Sequence, residues 1–205
     1  PAASGKGTLA RRLAAHFDYA YLDTGSLYRA LAYDVLRRGE APENASAGLR
    51  AAKALDLAML NDQDILAALR TDAVGTAASL VASQPDTRAA ILQIQRDIAD
   101  IPPDDKAGAV LDGRDIGTIV CPQAAHKIFV TARAEIRAER RWQELKQHDL
   151  QVSLEDVLAD LKARDQRDSA RATAPMRAAQ DAHLLDTSDL SIEEAFAAAL
   201  ELVSH

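Results

Sequence analysis

Short apolar runs alternate along the chain with longer stretches in which apolar residues return every three or four positions. This is the pattern of strands exchanged with amphipathic helices. Leu9 to Ala14 has helical period, and Tyr19-Ala20-Tyr21-Leu22-Asp23 follows as a predicted strand ending at Thr24-Gly25. A helix is predicted from about Ser26 to Arg38, stopped by Gly39-Glu40-Ala41-Pro42-Glu43-Asn44, and a second from Ala47 to Leu55. Between Asp56 and Arg70, two apolar groups flank Asn61-Asp62-Gln63-Asp64, which fits a small hairpin and a helical pair equally well. Ala73 to Ser83 and Asp86 to Ile101 read as helices either side of Pro85, the second with Ile91, Ile94 and Ile98 at helical spacing. Ala109-Val110-Leu111-Asp112, His126 to Thr131 and His183 to Asp186 are the remaining predicted strands. Helices are predicted over Arg133 to Gln147, Leu154 to Arg164 and Ile192 to Val203, the last with Ser191 as N-cap. Strands in alternation with helices predict an α/β domain on a parallel sheet, and 205 residues suffice for one such domain.

Composition narrows the function. A formal net charge of −7 argues against a non-specific nucleic-acid or anionic-membrane binder, so no nucleic acid and no membrane are expected as partners. No apolar run approaches the ~20 residues that span a bilayer and no leader pattern is visible, so the expected location is the cytoplasm. The single Cys121 reads as a small structural residue and excludes an internal disulfide. His16, His126, His148, His183 and His205 lack metal-ligand spacing, and Trp142 reads as packing.

The densest chemistry is at the start. Pro1-Ala2-Ala3-Ser4-Gly5-Lys6-Gly7-Thr8, running straight into a helix, reads as a phosphate-binding loop without its leading glycine. Small residues let backbone N–H groups turn toward phosphate oxygens, Lys6 reaches the β- and γ-phosphates, and the Thr8 hydroxyl is placed to hold Mg²⁺. Leu22 to Arg29 supplies a turn, a hydroxyl, Tyr28 and Arg29, and an arginine there reads as a phosphate clamp. Leu111 to Thr118 ends a strand with Asp112 and Asp115 either side of Arg114, a ligand site at the active edge of a sheet. Arg164 to Arg171 brings three arginines and two aspartates to the end of a helix, where a solvated charge run is the plainer reading.

Together these four segments resemble the bacterial cytidylate (CMP) kinase family, and the resemblance runs from Pro1 to roughly Val203. It implies transfer of a phosphoryl group from ATP to CMP or dCMP, with Mg²⁺ as cofactor and a monomeric protein. By position it implies Pro1 to Thr8 on ATP, and Lys6, Arg114, Arg164 and Arg171 as the charges that act on the phosphoryl oxygens. Thr24, Tyr28 and Arg29 would contact the monophosphate, Ser79, Arg88 and Asp115 the cytosine, and Arg164 with Asp168 the sugar hydroxyls; Asp112 completes the acceptor set. Arg140 and Arg141 would lie near the ATP side of a closing lid. The implied fold is a phosphate-loop kinase on a five-stranded parallel sheet, with a mobile acceptor-binding insert at about 40–107 and a lid at about 147–173. The family's first, central strand precedes its loop and is not in this chain. That absence would leave unpaired backbone in the sheet, and the chain by itself is expected to be unstable with a poorly ordered loop. Two rival functions are a small kinase with another acceptor and a non-catalytic nucleotide-binding fragment.

Overall fold

A computed structural model describes residues 1–147 and 152–204; His148 and His205, and the first residues of the expected lid, lie outside them. Helix α1 (Lys6–Phe17) leads to strand β1 (Ala20–Asp23) and helix α2 (Thr24–Arg37), whose start is fixed by the Asp23 carboxylate accepting from the Gly25 N–H at 2.9 Å. Then come α3 (Ala45–Lys53), a 3₁₀ turn (Leu57–Asn61), α4 (Gln63–Leu69), α5 (Asp72–Val81) and α6 (Pro85–Asp100). Of the two readings open for residues 56–70, the helical pair is the one formed. Asp56 and Asp62 cap the successive turns with their carboxylates, so each aspartate starts a helix where a hairpin would need a β-turn. Strand β2 (Ala109–Asp112), a π turn (Ile116–Val120) and β3 (Ile128–Thr131) follow. Helices α7 (Ala134–Gln147) and α8 (Leu154–Ala170), strand β4 (His183–Asp186) and α9 (Ile192–Val203) complete the described chain.

The longest departure from the predicted elements is α8, which runs on through the charged segment as far as Ala170. Charge does not stop it, because Asp165 and Asp168 are paired with arginines. Ser191 caps α9 in a reciprocal box with Glu194.

The strands are parallel, and among the described residues they form two separate pairs, β1 with β2 and β3 with β4. A five-stranded sheet is thus not formed by these residues alone. Between the pairs lies a cavity of about 860 Å³ lined by Leu9 and Leu13 of α1, Val110 and Leu111 of β2, and Ile128 to Val130 of β3. In the first pair Ala20 sits opposite Ala109 and Asp23 opposite Asp112, so both strands deliver a carboxylate to the same edge.

Three apolar clusters hold the helices. The largest gathers α2, α3, α5 and α6 around Leu27, Leu31, Val35, Val81 and Ile91, all 0–1% exposed. A second joins α1 and α9 to β3 and β4 through Leu9, Leu13, Val130, Leu185 and Ala199. The third packs α7 on α8 through Ala138, Leu145, Val157 and Leu161, with Ala2, Ala3 and Trp142 against it. No described helix is long and apolar enough to cross a membrane.

Helices α3 and α6 meet at Gly48, where a Cβ would stand 2.0 Å from Gln84 Oε1 and 2.8 Å from Thr87 Oγ1. Gln84 donates to the Pro42 carbonyl at 2.8 Å in half-buried surroundings and accepts from the Thr87 hydroxyl at 2.9 Å in buried ones. Alanine in a helix interior is favoured over glycine by ~1 kcal/mol, whereas stranding two buried polar groups costs ~1–3 kcal/mol each. Gly48→Ala is therefore expected to destabilise the fold by about 1–5 kcal/mol, read as a lower urea midpoint; an unchanged or higher midpoint would show that Gln84 moves aside at no cost.

Candidate active site

The chain's first turn is shaped to receive an anion. The Ser4 side chain is fully buried and donates to the Pro1 carbonyl at 3.1 Å, and Gly5 takes φ +82° just before α1 begins. That left-handed angle is open to glycine at little cost and strained for most residues. Among the described residues no side chain caps α1, and its first turn carries no acid, so its leading N–H groups and the positive end of its dipole face the site. From behind, the Thr187 hydroxyl donates to the Ser4 carbonyl at 2.9 Å, tying the loop to the end of β4.

Lys6 projects from this turn to within 3.4 Å of Asp112 Oδ1. Burial pushes the Asp112 carboxyl up, and Lys6 opposes that shift. Thr24 at the start of α2 donates its hydroxyl hydrogen to the Asp112 carbonyl at 2.8 Å, which leaves its lone pairs for a ligand donor. Thr8 is exposed at the loop's end. Among the described residues no group of three or more acidic, His or Cys side chains converges on a point. The donor set of Thr8, Asp112 and Asp23 therefore fits a hard cation that takes much of its shell from phosphates and water, as Mg²⁺ does.

Every residue of the expected sets except Pro1 lines one cavity of about 560 Å³, between the strand ends, α5 and α8. Pro1 borders the apolar cavity between the sheets. The larger cavity is mostly hydrocarbon-walled, and Lys6, Asp112 and Arg114 border both; Arg29, Arg88, Arg164, Asp168 and Arg171 line the smaller one.

Inside it, Asp168 is the focus. Its carboxylate is 1% exposed, paired with Arg114 and Arg171, and accepts from the Ser79 hydroxyl at 3.3 Å. Arg171 also donates to the Ser79 carbonyl at 3.3 Å. Ser79 therefore lies with the α8 group, and is not hydrogen-bonded to the Arg88–Asp115 pair with which the family resemblance associates it. That pair is itself buried, and Arg88 also donates to the Ala82 carbonyl at 3.0 Å. The Arg88 guanidinium lies 5.3 Å from the centre of the Tyr28 ring, so Tyr28 stands beside this pair. Its hydroxyl is buried without a partner among the described residues, and burial raises its pKa.

Arg29 is anchored by donating to the carbonyls of Leu69 and Thr71, with its guanidinium against Gly75, whose Cβ would be 3.1 Å from it. Arg164 stands one helical turn before Asp168, its Nε buried and unpartnered among the described residues. Burial first, then the neighbouring Arg114 charge, lowers its pKa to about 10, which still leaves it charged at neutral pH. Arg29, Arg114, Arg164 and Arg171 are thus crowded in one low-dielectric space with more positive charge than Asp168 can balance, an environment that favours a phosphate.

The two arginines expected at the lid diverge. Arg140 donates to the Thr187 side chain at 3.1 Å and carbonyl at 2.7 Å, away from the cavity. Arg141 lines the cavity and reaches across to Asp72 of α5 at 2.8 Å. Trp142 donates to the Val152 carbonyl at 3.0 Å and packs with the α7–α8 cluster.

Two residues near the loop were given no role by the sequence reading. Arg137 is buried against the loop and paired with Asp165 of α8. Asp23 borders the cavity beside Asp112. Arg137 is hidden in a helix rich in arginine, where spacing does not separate it from solvated neighbours; Asp23 carried a signal in its place at a strand's end.

A family model described as "Cytidylate kinase" matches residues 1–205. The cytidylate kinase of Rhodospirillum rubrum is 56% identical over 205 residues, covering 100% of this chain and 94% of that protein. That of Azorhizobium caulinodans is 53% identical over 203 residues, covering 99% and 94%. That of Bartonella bacilliformis is 47% identical over 203 residues, covering 99% and 91%. With its phosphate loop, arginine-lined cavity and full-length likeness to these enzymes, the chain belongs to the cytidylate kinase family.

Proposed function

We propose that the protein transfers the γ-phosphoryl group of ATP to CMP or dCMP, giving ADP and CDP or dCDP, by direct in-line displacement. The observation that carries this reading is the meeting, in one cavity, of a phosphate loop at one end and an arginine cluster at the other. The loop and Lys6 take the triphosphate; Arg29, Arg114 and Arg171 take the acceptor phosphate. Phosphoryl transfer asks a protein mainly for position and for charge on the equatorial oxygens, and among the described residues the cavity is lined by no Ser/His or Cys/His pair that a covalent route would use. Mg²⁺, carried with ATP, neutralises charge on the β- and γ-phosphates, with Thr8 and Asp112 to hold it. Ser79, Arg88 and Asp115 form the base end, where a carboxylate accepts from the cytosine exocyclic amine, and Thr24 and Tyr28 join Arg29 at the acceptor phosphate. Arg164 with Asp168 takes the sugar hydroxyls.

In this reading residues 1–205 are one kinase domain, with an acceptor-binding insert at about 40–107 and a lid at about 147–173; the separate apolar clusters of α2–α6 and α7–α8 support it. Closure of the two excludes water, which would otherwise take the acceptor's place. The protein acts as a cytoplasmic monomer. A fifth, central strand fits the apolar cavity between β2 and β3, since each of these pairs with only one neighbour among the described residues. A form of the protein carrying an apolar strand ahead of the loop is expected to melt several degrees higher; equal melting temperatures would mean that this cavity is filled in another way.

The direct test is ADP release with a panel of nucleoside monophosphates. CMP and dCMP are expected to be used far better than AMP or GMP, and preference for a purine would overturn the reading. Lys6→Ala is expected to remove most turnover with CMP affinity nearly intact, because the acceptor has its own arginines; calorimetry showing an equal loss of CMP binding would merge the two subsites. Asp115→Asn should cut discrimination of CMP against UMP by about tenfold or more, since one good base contact is worth ~1–3 kcal/mol. Unchanged selectivity in competition would take Asp115 out of the base site.

A further inference from the structure

Arg137 is a buried cation that the proposed transfer does not use, and its three bonds run to three different parts of the machine. Its Nε donates to the Ala132 carbonyl at 2.8 Å, at the exit of β3. Its Nη1 donates to the Ala2 carbonyl of the phosphate loop at 3.2 Å and lies 2.7 Å from Asp165 Oδ2 of α8. The side chains of Arg137 and Asp165 are 7% and 19% exposed. Asp165 Oδ1 is buried and has no hydrogen-bond partner among the described residues, so the charge of this carboxylate leans on Arg137. Ala2 and Ala3 also pack on the α7–α8 cluster, so apolar contact and ion pair act on the same piece of loop.

Three residues further along α8, Asp168 faces the other way in function, toward Ser79, Arg114 and Arg171. One turn of one helix thus touches both halves of the cavity, Asp165 at the phosphate loop and Asp168 at the acceptor end.

We propose that Arg137 and Asp165 are a positioning pair for ATP: they lock the first residues of the phosphate loop to the lid helix, so that ordering the loop and seating the lid are one event. The inference rests on the kinase reading above. Neither residue touches the reacting atoms in this scheme. The pair acts through the Ala2 carbonyl, which fixes the direction of the peptide planes that follow and hence of the N–H groups that meet phosphate. A guanidinium is suited to this, because its planar fork can serve two carbonyls and a carboxylate at once.

The experiment compares Arg137→Gln, Asp165→Asn and the double variant with the parent protein, with ATP and CMP varied separately and Mg-ATP binding measured by calorimetry without acceptor. Each single change is expected to raise KM and Kd for ATP by about tenfold while KM for CMP stays within about twofold, since only the donor half is tied to the pair. The double variant is expected to be no worse than the worse single one. A lowered melting temperature with both KM values unchanged, or an equal rise in both, would overturn the proposal by making the pair a general structural contact. Should Arg137→Gln fail to fold, Asp165→Asn, which keeps the side chain's shape, decides alone. If the parent binds ATP but does not phosphorylate CMP, the kinase reading fails, while the ATP dissociation constants still test the pair.

Discussion

A single buried carboxylate, that of Asp168, is the point on which the site's geometry depends. It pairs with Arg114 from the end of β2 and Arg171 from beyond α8, and accepts from Ser79 of α5. Three elements that share little apolar contact are thereby brought to one place. The physical need for such a group is plain from the charges around it. Guanidinium groups repel one another in a low-dielectric pocket, and each would resist burial without a nearby anion. Asp168 supplies that anion in the protein itself. On the proposed function, the arginines are held in place before any phosphate arrives, so little reorganisation remains for binding.

A second balance of this kind operates at the loop, between Lys6 and Asp112. Here the carboxylate is the uneasy partner, with its pKa raised by burial. It sits next to Asp23 across the register of β1 and β2, so the strand pairing itself concentrates negative charge at the loop's mouth. A cation at that place relieves the crowding, and the fold therefore favours both components of a metal-bound triphosphate, the anion at the α1 N-terminus and the metal at the strand ends.

Much of this was legible in the sequence because the signals are local. Glycine and small residues before a helix, short apolar runs closed by a carboxylate such as Ala109 to Asp112, and Ser191 three residues before Glu194 carry their structure with them, and β2, β4 and α9 have the predicted bounds. The charged segment Arg164 to Arg171 read as a solvated run in isolation; only the resemblance gave it a role, and within this largely exposed or half-buried stretch it is Asp168 that is buried, because its partners come from the end of β2 and from α5. The same limit applies to Arg140 and Arg141, adjacent in sequence and turned to opposite duties, and to Ser79, whose bond goes to α8. Pairing across long separations is set by how helices pack, and no spacing rule reaches that far. The sheet shows the limit from the other side: each strand was visible, but which strands touch is a property of the assembled layers.

The close approach of Gly75 to Arg29 has a consequence for how this protein can vary. Position 75 lies inside α5, in the body of a helix, where a change to alanine would ordinarily pass unnoticed or even help. Here the space a methyl group needs is held by a guanidinium that is itself tethered to the carbonyls of Leu69 and Thr71. The neighbour that must yield is a cavity-lining arginine. On the proposed function, drift at this site would be felt in substrate affinity before it is felt in the fold, so a survey of variants by expression level or melting temperature alone would score as neutral a position that a survey by activity would not.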